Sequence, residues 1–262
     1  MISKDVRRII LEQSKRANVG HIGSALSIAD ILTTLYSRVL NIPDFHDENR
    51  DRFILSKGHA ALALYAVLYL KGWITKDALE NYCGDGTSLG VHPEQQLPGV
   101  DFSSGSLGHG LPMGAGAALA ARLQGSERKI FVLISDAECN EGSTWEAAMF
   151  AAHHQLSNLI AILDCNGQQA FGYTNEVLNL SPLADRWRAF QWEVHEVDGH
   201  NIPQMIDCIS SLNTRTGAPK LIFAHTIFGK GVSYMQQQIQ WHYLPMSEDQ
   251  YQQALRESDS SS

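Results

Sequence analysis

Acidic and amide side chains follow two short apolar runs of the sequence, at a spacing that could bind a metal ion. Asp136 comes directly after the run 129–135, and Asp164 and Asn166 follow the run 159–163. Carboxylate and amide oxygens are the hard ligands that Mg²⁺ or Ca²⁺ takes together with a bound phosphate group. A plain structural role fits the same residues, because aspartate caps helices and asparagine before glycine forms turns. The residues alone therefore leave two interpretations open, a metal–phosphate site and a pair of turns.

A glycine-rich segment, 105–110, precedes an alanine- and glycine-rich stretch, 111–122, that has the composition of a helix. Small residues let a ligand approach the backbone closely, and a helix start supplies N–H donors that suit a phosphate. Tight helix packing uses the same residues, so this segment alone is weak support for a site. It is not the dinucleotide-binding pattern, because the glycine spacing differs and no strand precedes it.

Histidines in loop-like contexts form the third group of candidate residues. A single histidine is usually a surface or core residue, but a tight glycine or proline turn projects its imidazole from a rigid backbone. Imidazoles hydrogen-bond sugar hydroxyls and transfer protons near neutral pH. The four histidines in such contexts are His21, His59, His92 and His242. We expect His153 and His154, inside an alanine-rich helix, to be structural.

The elements that must position these residues alternate between strands and helices. Apolar runs bounded by polar residues predict buried parallel strands at 129–135, 159–163, 192–197 and 221–225. Helical spacing predicts helices at 3–17, 27–39, 60–70, 111–122, 143–155 and 248–256. A Ser-x-x-Asp pattern at Ser27 could cap the second of these helices. This alternation indicates an α/β fold in three layers, a mostly parallel central sheet with helices on both faces. Ligands bind beyond the carboxyl ends of such strands, so we expect the chemistry just after residues 135 and 163.

The whole chain has the composition of one large globular domain. Its 262 residues are 44% hydrophobic and 18% charged, and the net charge of -8 argues against nucleic acid or an anionic membrane as a partner. The longest apolar run, 60–70, is too short for a membrane span. Four scattered cysteines without a C-x-x-C pair favour reduced thiols and a cytoplasmic location. We predict a single domain over residues 1–257 and a disordered tail over 258–262.

Taken together, these segments resemble the N-terminal half of transketolase, in particular the separately encoded N-terminal subunit of split transketolases. The resemblance covers almost the whole chain, and its motifs occur in the family's order. The matching segments are 20–23 (Gly-His-Ile-Gly), 55–60 (Leu-Ser-Lys-Gly-His-Ala), 92–93 (His-Pro), 105–110 (Gly-Ser-Leu-Gly-His-Gly), 136–142, 164–166 (Asp-Cys-Asn), 187–190 (Trp-Arg-Ala-Phe), 198–200 (Asp-Gly-His), 229–233 (Gly-Lys-Gly-Val-Ser) and 241–242 (Trp-His). The resemblance implies the thiamine diphosphate-binding fold.

The same resemblance implies a thiamine diphosphate site with a bound Mg²⁺ (or Ca²⁺). Asp136 and Asn166 match the side-chain metal ligands, and Gln168 matches the ligand that coordinates through its backbone carbonyl. The residues that match cofactor contacts are His59, Gly105, Ser106, Leu107, Ser135, Asp136, Ala137, Glu138, Asn166 and His242. The four histidines resemble the cluster that binds the sugar and moves its protons, and Glu141 matches a carboxylate at the subunit contact.

The implied reaction transfers a two-carbon ketol unit from a ketose or ketose phosphate to an aldose. The pyrimidine domain that activates the cofactor is not visible after residue 231, so the resemblance implies a partner, the C-terminal transketolase subunit, in an α₂β₂ heterotetramer. Two alternatives stay open. One is a thiamine diphosphate-dependent decarboxylative carboligase that uses an α-keto acid, and the other is a structural or regulatory subunit that binds no cofactor. The histidine set favours a sugar substrate over a keto acid.

Several residues depart from the family's pattern. The turn that is Gly-Asp-Gly in the family is Ser135-Asp136-Ala137 here. If position 137 requires a left-handed backbone, alanine costs about 1–2 kcal/mol there. We expect weakened or slightly shifted cofactor binding and not its loss, because both metal side chains remain. Further departures at His109, at 167–171 and at 243–244 predict a specialised donor or acceptor instead of the common pentose phosphates.

Overall fold

The computed structural model describes residues 2–260 of the chain. Its α-helices are α1 (Ser3–Ala17), α2 (Ile22–Ser27), α3 (Ala29–Thr34), α4 (Ala61–Leu70), α5 (Lys76–Glu80), α6 (Gly110–Leu123), α7 (Gly142–His153), α8 (Thr174–Val177), α9 (Leu183–Ala189), α10 (Ile202–Ser210) and α11 (Glu248–Ser260). Its strands are β1 (Arg52–Leu55), β2 (Ile130–Ser135), β3 (Leu159–Cys165), β4 (Gln168–Gln169), β5 (Gly172–Tyr173), β6 (Glu193–Asp198) and β7 (Lys220–His225). Single turns of 3₁₀ helix lie at Gly58–Ala60, Ala137–Asn140 and Ile239–His242, and a π-helical turn at Leu35–Val39.

Five strands form one parallel sheet in the order β1-β2-β3-β7-β6. Because all five run in the same direction, their carboxyl ends meet at one edge. β2 and β3 are neighbours, and Ser135 lies opposite Asp164 where they end. β4 and β5 form a separate antiparallel hairpin directly after β3. The sheet thus presents the ends of β2 and β3, and the hairpin, on the same side of the molecule.

The buried strands direct alternate side chains into two apolar cores, one on each face of the sheet. In β2, Phe131 and Leu133 belong to the first core, whereas Ile130 and Val132 belong to the second. Helices α1 to α4 and α10 contribute to the first core, and α6, α7 and α9 contribute to the second. Strands covered on both faces are apolar along their whole length, which is why the sequence reveals them. The predicted three-layer α/β/α arrangement is confirmed.

The predicted strands are confirmed within a few residues of their ends, with two differences. β1 has only four residues, too few for the sequence pattern to reveal it. β3 is longer than predicted and continues through Asp164 and Cys165. Asp164 therefore belongs to the sheet, and Asn166 is the first residue beyond the strand.

The helix predicted over 27–39 is confirmed from Ala29 to Val39, with a π-helical last turn, but Ser27 is not its cap. Ser27 ends α2, and its hydroxyl donates to the Asp164 carboxylate (2.8 Å), with the Ser24 carbonyl also within reach at 3.0 Å. Asp30 binds the guanidinium of Arg7 and the imidazole of His200. Long-range partners for both residues outweigh the local capping pattern.

The predicted disordered tail also needs correction at its start. Helix α11 continues through residue 260, so residues 258–260 are helical, while residues 261 and 262 lie outside the described part. Across residues 2–260, no helix combines the length and the apolar character that a membrane crossing requires.

Candidate active site

The carboxyl ends of β2 and β3 bring the predicted acidic and amide residues together. The N–H of Asp136 donates to the carbonyl of Asp164 (3.2 Å). The Asp136 carboxylate accepts from the N–H of Gly167 at 2.7 Å and from the N–H of Ala137 at 2.9 Å. Because Gly167 follows Asn166 directly, the loops after β2 and β3 are tied to each other at one edge of the sheet.

The polar groups at this edge suit a hard divalent cation. Asp136 is buried, and burial together with the nearby Asp164 charge raises the pKa of its carboxyl to about 7. A cation beside this carboxylate would offset both effects. Asn166 directs its amide nitrogen to the Asp164 carboxylate (2.9 Å), which leaves its oxygen on the other side, where it accepts from the N–H of Gln168 (2.9 Å).

Residues 2–260 contain no group of three or more His, Cys, Asp or Glu side chains that could hold a metal ion. An ion at this edge would therefore depend on oxygens of other kinds as well. A carboxylate, an amide oxygen and a backbone carbonyl fit Mg²⁺ or Ca²⁺, which bind through mixed oxygen ligands and retain some of their water.

Asp164 organises the floor of the site, a role that the sequence did not reveal. Its side chain is completely buried and forms an ion pair with Lys57. Its carboxylate also accepts hydrogen bonds from Ser27, Asn166 and Thr226. One carboxylate thus joins α2, the turn after β1, the end of β3 and the residue after β7.

A cavity of about 230 Å³ opens above this floor. Predicted site residues that line it are His21, His59, His92, Leu107, Ser135, Ala137, Glu141, Asn166, Gln168 and His242. Gly105 and Ser106 line an adjoining cavity, which shares His92 with the first. Asp136 and Glu138 are buried and belong to the lining of neither. Most of the predicted residues therefore converge, although they come from distant parts of the chain.

Three histidines form a chain along one wall of the cavity. The ring centroids of His21 and His59 are 5.4 Å apart, and those of His59 and His242 are 6.2 Å apart. The His59 Nε2 atom lies 2.8 Å from the Ser24 hydroxyl. His21 has a left-handed backbone (φ 61°), and its N–H donates to the His242 carbonyl (3.2 Å). The left-handed conformation at His21 is held by this contact between segments more than 200 residues apart.

The imidazoles of His21, His59 and His242 are neutral near pH 7. Burial lowers the pKa of His242 to about 4, with a further contribution from the Lys57 charge. Burial also lowers the pKa of His59 well below its ordinary value, again assisted by Lys57. The pKa of His21 is lowered by burial and by His92. A neutral imidazole can donate at one nitrogen and accept at the other, as binding and proton transfer to hydroxyl groups require.

Several buried polar atoms around the cavity have no hydrogen-bond partner within the described part of the chain. They are His21 Nδ1, His242 Nε2, both amide atoms of Gln168 and the amide nitrogen of Gln169. Each unpaired buried polar group costs about 1–3 kcal/mol, and all four residues line the cavity. A polar ligand that paired with these atoms would recover that cost, so the lining fits a polar cofactor or a sugar.

The condition under which Ala137 would strain the turn, a left-handed backbone at this position, is not met. Ala137 begins a 3₁₀ turn and its φ is not positive. Alanine therefore does not incur the free-energy cost of a left-handed backbone. The predicted phosphate donors at the start of α6 are also engaged elsewhere. The N–H of Gly108 donates to the Glu138 carboxylate (3.0 Å), and the N–H of Gly110 donates to the Ser56 hydroxyl (3.1 Å).

Six further residues line the cavity that were given no individual role from the sequence, although three of them belong to the departing segment 167–171. They are Ser24, Lys57, Asn140, Gln169, Ala170 and Phe171. Lys57 lies two positions before His59 in the family-like segment 55–60. Its position there could have identified it as a residue of the site. Phe171, 86% exposed, lies between β4 and β5, and nothing in the sequence predicts that hairpin.

The fold and the cavity define the class of protein, an α/β domain with a ligand site at the carboxyl edge of a parallel sheet. The sequence matches the family described as transketolase, thiamine diphosphate binding domain, over residues 1–258. One of the subunits of the apulose-4-phosphate transketolase of Phocaeicola vulgatus is 40% identical over 257 residues, which are 97% of this chain and 92% of that protein. The 6-deoxy-6-sulfo-D-fructose transketolase subunit SqwG of Clostridium sp. is 39% identical over 256 residues, which are 96% of this chain and 93% of that protein.

The crystal structure of transketolase from Campylobacter jejuni gives a TM-score of 0.92 at 29% identity. The match covers 98% of this chain but only 42% of that one. The chain therefore belongs to the transketolase family, as its thiamine diphosphate-binding domain. The resemblance and the fold predicted from the sequence are confirmed.

Proposed function

We propose that this chain is the diphosphate- and metal-binding subunit of a transferase that moves a two-carbon ketol unit from a ketose or ketose phosphate to an aldose. The observation that carries the proposal is the cavity at the carboxyl ends of β2 and β3. There the neutral imidazoles of His21, His59 and His242 line the same cavity as Asn166 and Gln168. The sheet edge that would bind the metal and the diphosphate, and the imidazoles that could transfer protons, therefore lie at the same cavity.

Within this site, Asp136, Asn166 and the Gln168 carbonyl would hold Mg²⁺, and the metal would hold the diphosphate. Thiamine diphosphate, when bound, supplies the nucleophilic carbon that attacks a ketose carbonyl. The remaining cofactor contacts assigned from the sequence are the turn that contains Ser135 and Ala137, and the segment that contains Gly105, Ser106 and Leu107.

The histidines would bind and deprotonate the sugar. A neutral imidazole can accept the proton of a sugar hydroxyl as the C2–C3 bond breaks and return it when the acceptor adds. His21, His59, His92 and His242 line the same cavity, so each could reach a substrate that enters it. The low pKa values of His21, His59 and His242 keep these three unprotonated, the form that can act as a base.

We further propose that activity requires a partner chain with the pyrimidine domain, in an α₂β₂ heterotetramer. The two relatives above are themselves named as subunits, and this chain covers 42% of the C. jejuni transketolase. Glu141 is exposed at the cavity edge, immediately before α7. On that helix Met149 and Phe150 also expose apolar surface, which supports the assignment of Glu141 to a contact between subunits.

The substrate we propose is a specialised sugar. The relatives are named for apulose 4-phosphate and for 6-deoxy-6-sulfo-D-fructose, and residues 168–171 of the departing segment line the cavity. Steady-state assays with xylulose 5-phosphate and ribose 5-phosphate should give low activity, and full activity would contradict this part of the proposal. Four free cysteines support the proposed reducing, cytoplasmic location.

The central test compares the purified chain with the reconstituted pair. The chain alone should show no ketol transfer, and transfer should appear when the partner is added. Titration calorimetry of the pair should detect thiamine diphosphate with Mg²⁺ and lose the signal in EDTA. Turnover by the chain alone would refute the partner requirement, and absence of cofactor binding would favour the structural or regulatory alternative. The carboligase alternative predicts consumption of pyruvate, which we expect to be absent because both relatives are named as transketolases.

A further inference from the structure

Ser135 and Glu138 form reciprocal hydrogen bonds across the turn that ends β2. The N–H of Ser135 donates to Glu138 Oε2 (2.9 Å), and the N–H of Glu138 donates to the Ser135 hydroxyl oxygen (3.3 Å). The Ser135 hydroxyl in turn donates to Glu138 Oε2 (3.3 Å). This is the pattern of a capping box, in which serine and a glutamate three residues later each satisfy the other's backbone N–H.

The second oxygen of Glu138 extends the box to two other segments. Glu138 Oε1 accepts from the Gly108 N–H (3.0 Å) and from the Ser56 hydroxyl. The Ser56 oxygen also accepts from the N–H of Gly110, the first residue of α6 (3.1 Å). A single carboxylate therefore fixes the ends of β1 and β2 and the glycine-rich segment before α6 in one arrangement.

Glu138 acts behind the wall of the cavity and does not face it. Its side chain is fully buried, whereas Ser135, Ala137 and Leu107 line the cavity. All its hydrogen bonds come from two backbone N–H groups and two hydroxyls, so both oxygens are in contact with donors. An anionic group this close to a diphosphate is tolerable because its charge is already engaged by protein donors.

We propose that Ser135 and Glu138 are a pair of positioning residues, which hold the diphosphate-facing turn and the segment 105–110 in their binding geometry. The reciprocal hydrogen bonds between the two residues define the backbone conformation of this turn. The proposal rests on the proposed function, since the ligand of the turn is taken to be a diphosphate. It replaces the expectation that Glu138 itself contacts the cofactor.

The chain offers a matched control. Ser247 and Gln250 form the same reciprocal box at the start of α11, with Ser247 N to Gln250 Oε1 at 2.9 Å and Gln250 N to the Ser247 hydroxyl at 3.2 Å. Neither residue lines a cavity at the active site. Loss of this capping box should lower the stability of the folded chain and leave the cofactor affinity unchanged.

The experiment measures the Kd of thiamine diphosphate by calorimetry, at fixed Mg²⁺, in the reconstituted pair and in variants of it. Ser135→Ala should raise Kd about fivefold, the full value of a lost cap. Glu138→Gln should raise it about tenfold or more, because its amide NH₂ would meet a backbone N–H that needs an acceptor. Ser135→Thr, which keeps the hydroxyl, should retain the affinity, and Ser247→Ala should lower Tm without a change in Kd. At saturating cofactor, kcat should be unchanged in Ser247→Ala.

Three results separate the possibilities. If Ser135→Ala weakens binding but Glu138→Gln does not, Ser135 contacts the cofactor directly and the positioning role is refuted. If Ser135→Ala lowers Tm as Ser247→Ala does, with Kd unchanged, the box is merely structural and the inference is refuted even where Glu138→Gln fails to fold. If the wild-type pair binds no thiamine diphosphate, the proposed function fails, and this inference fails with it.

Discussion

Replacement of Lys57 by methionine removes the cation that faces a completely buried carboxylate. The side chain of Lys57 is 1% exposed, and that of its partner Asp164 is 0% exposed. The chain contains a second buried lysine in a different setting, because Lys220 is 2% exposed but its partner Glu193 is 42% exposed. The two Lys→Met variants therefore remove similar ammonium groups and differ in the carboxylate that remains.

The expected cost follows from the fate of that carboxylate. Without Lys57, Asp164 keeps hydrogen bonds from Ser27, Asn166 and Thr226 but has no cation in contact. Breaking a buried ion pair on one side costs about 3–5 kcal/mol. Without Lys220, Glu193 is hydrated and keeps His195 as a partner, so the loss should be that of a surface pair, about 0–1 kcal/mol.

Urea denaturation of the purified chain at pH 7, without cofactor, measures both free energies of unfolding. Lys57→Met should unfold at a much lower urea concentration than Lys220→Met, and the double variant Lys57→Met/Asp164→Asn should recover much of the loss. Equal midpoints for the two lysine variants would refute the reasoning. So would a double variant as unstable as Lys57→Met, because the uncompensated charge of Asp164 would then not be the cause.

Two further predictions concern pH and packing. Since burial lowers the pKa of His242 from 6.5 to about 4, the unfolded chain takes up the proton first, and stability falls as the pH drops from 6.5 towards 4. By pH 5 this one group should cost about 2 kcal/mol, and urea denaturation of His242→Asn should show a correspondingly weaker pH dependence; an identical dependence would contradict the assignment. A methyl group at Gly110 would lie 2.3 Å from the Ser56 side chain, whereas one at Gly116 of the same helix meets nothing within 4 Å. Gly110→Ala should therefore destabilise the chain by about 1–3 kcal/mol and Gly116→Ala stabilise it by about 0.5–1 kcal/mol, and thermal melts in which both variants shift Tm the same way would contradict the packing.

Much of the fold was predictable because its central strands are apolar throughout. The runs that became β2 and β3 could be recognised from composition alone, and their adjacency followed from the βαβ pattern. β1 was missed because four residues carry too little pattern. The cap predicted at Ser27 failed for a different reason: its hydroxyl binds Asp164, 137 positions away, and local sequence patterns contain no information about such a partner.

Less of the candidate site than of the fold could be predicted from the residues alone. Asp136 and Asn166 could be placed together because parallel strands end at one edge. The histidines could not, since His21 and His242 meet through a hydrogen bond that joins opposite ends of the sequence, and only the family resemblance connected them. A Ser-x-x-Glu pattern at 135–138 was present in the sequence, but it follows a strand, whereas capping boxes are sought before helices.

The charges around the cavity give a physical reason for the proposed dication. Asp136 and Asp164 together carry two negative charges when ionised, and Lys57 supplies one positive charge that is already paired with Asp164. The imidazoles of His21, His59 and His242 add none, because their pKa values are lowered. The N–H groups of Gly108 and Gly110 bind protein oxygens and are not available to a phosphate. A diphosphate would therefore meet a net negative surrounding unless a divalent cation lay between it and Asp136. The metal, rather than the altered turn, should be what determines whether the cofactor binds at all.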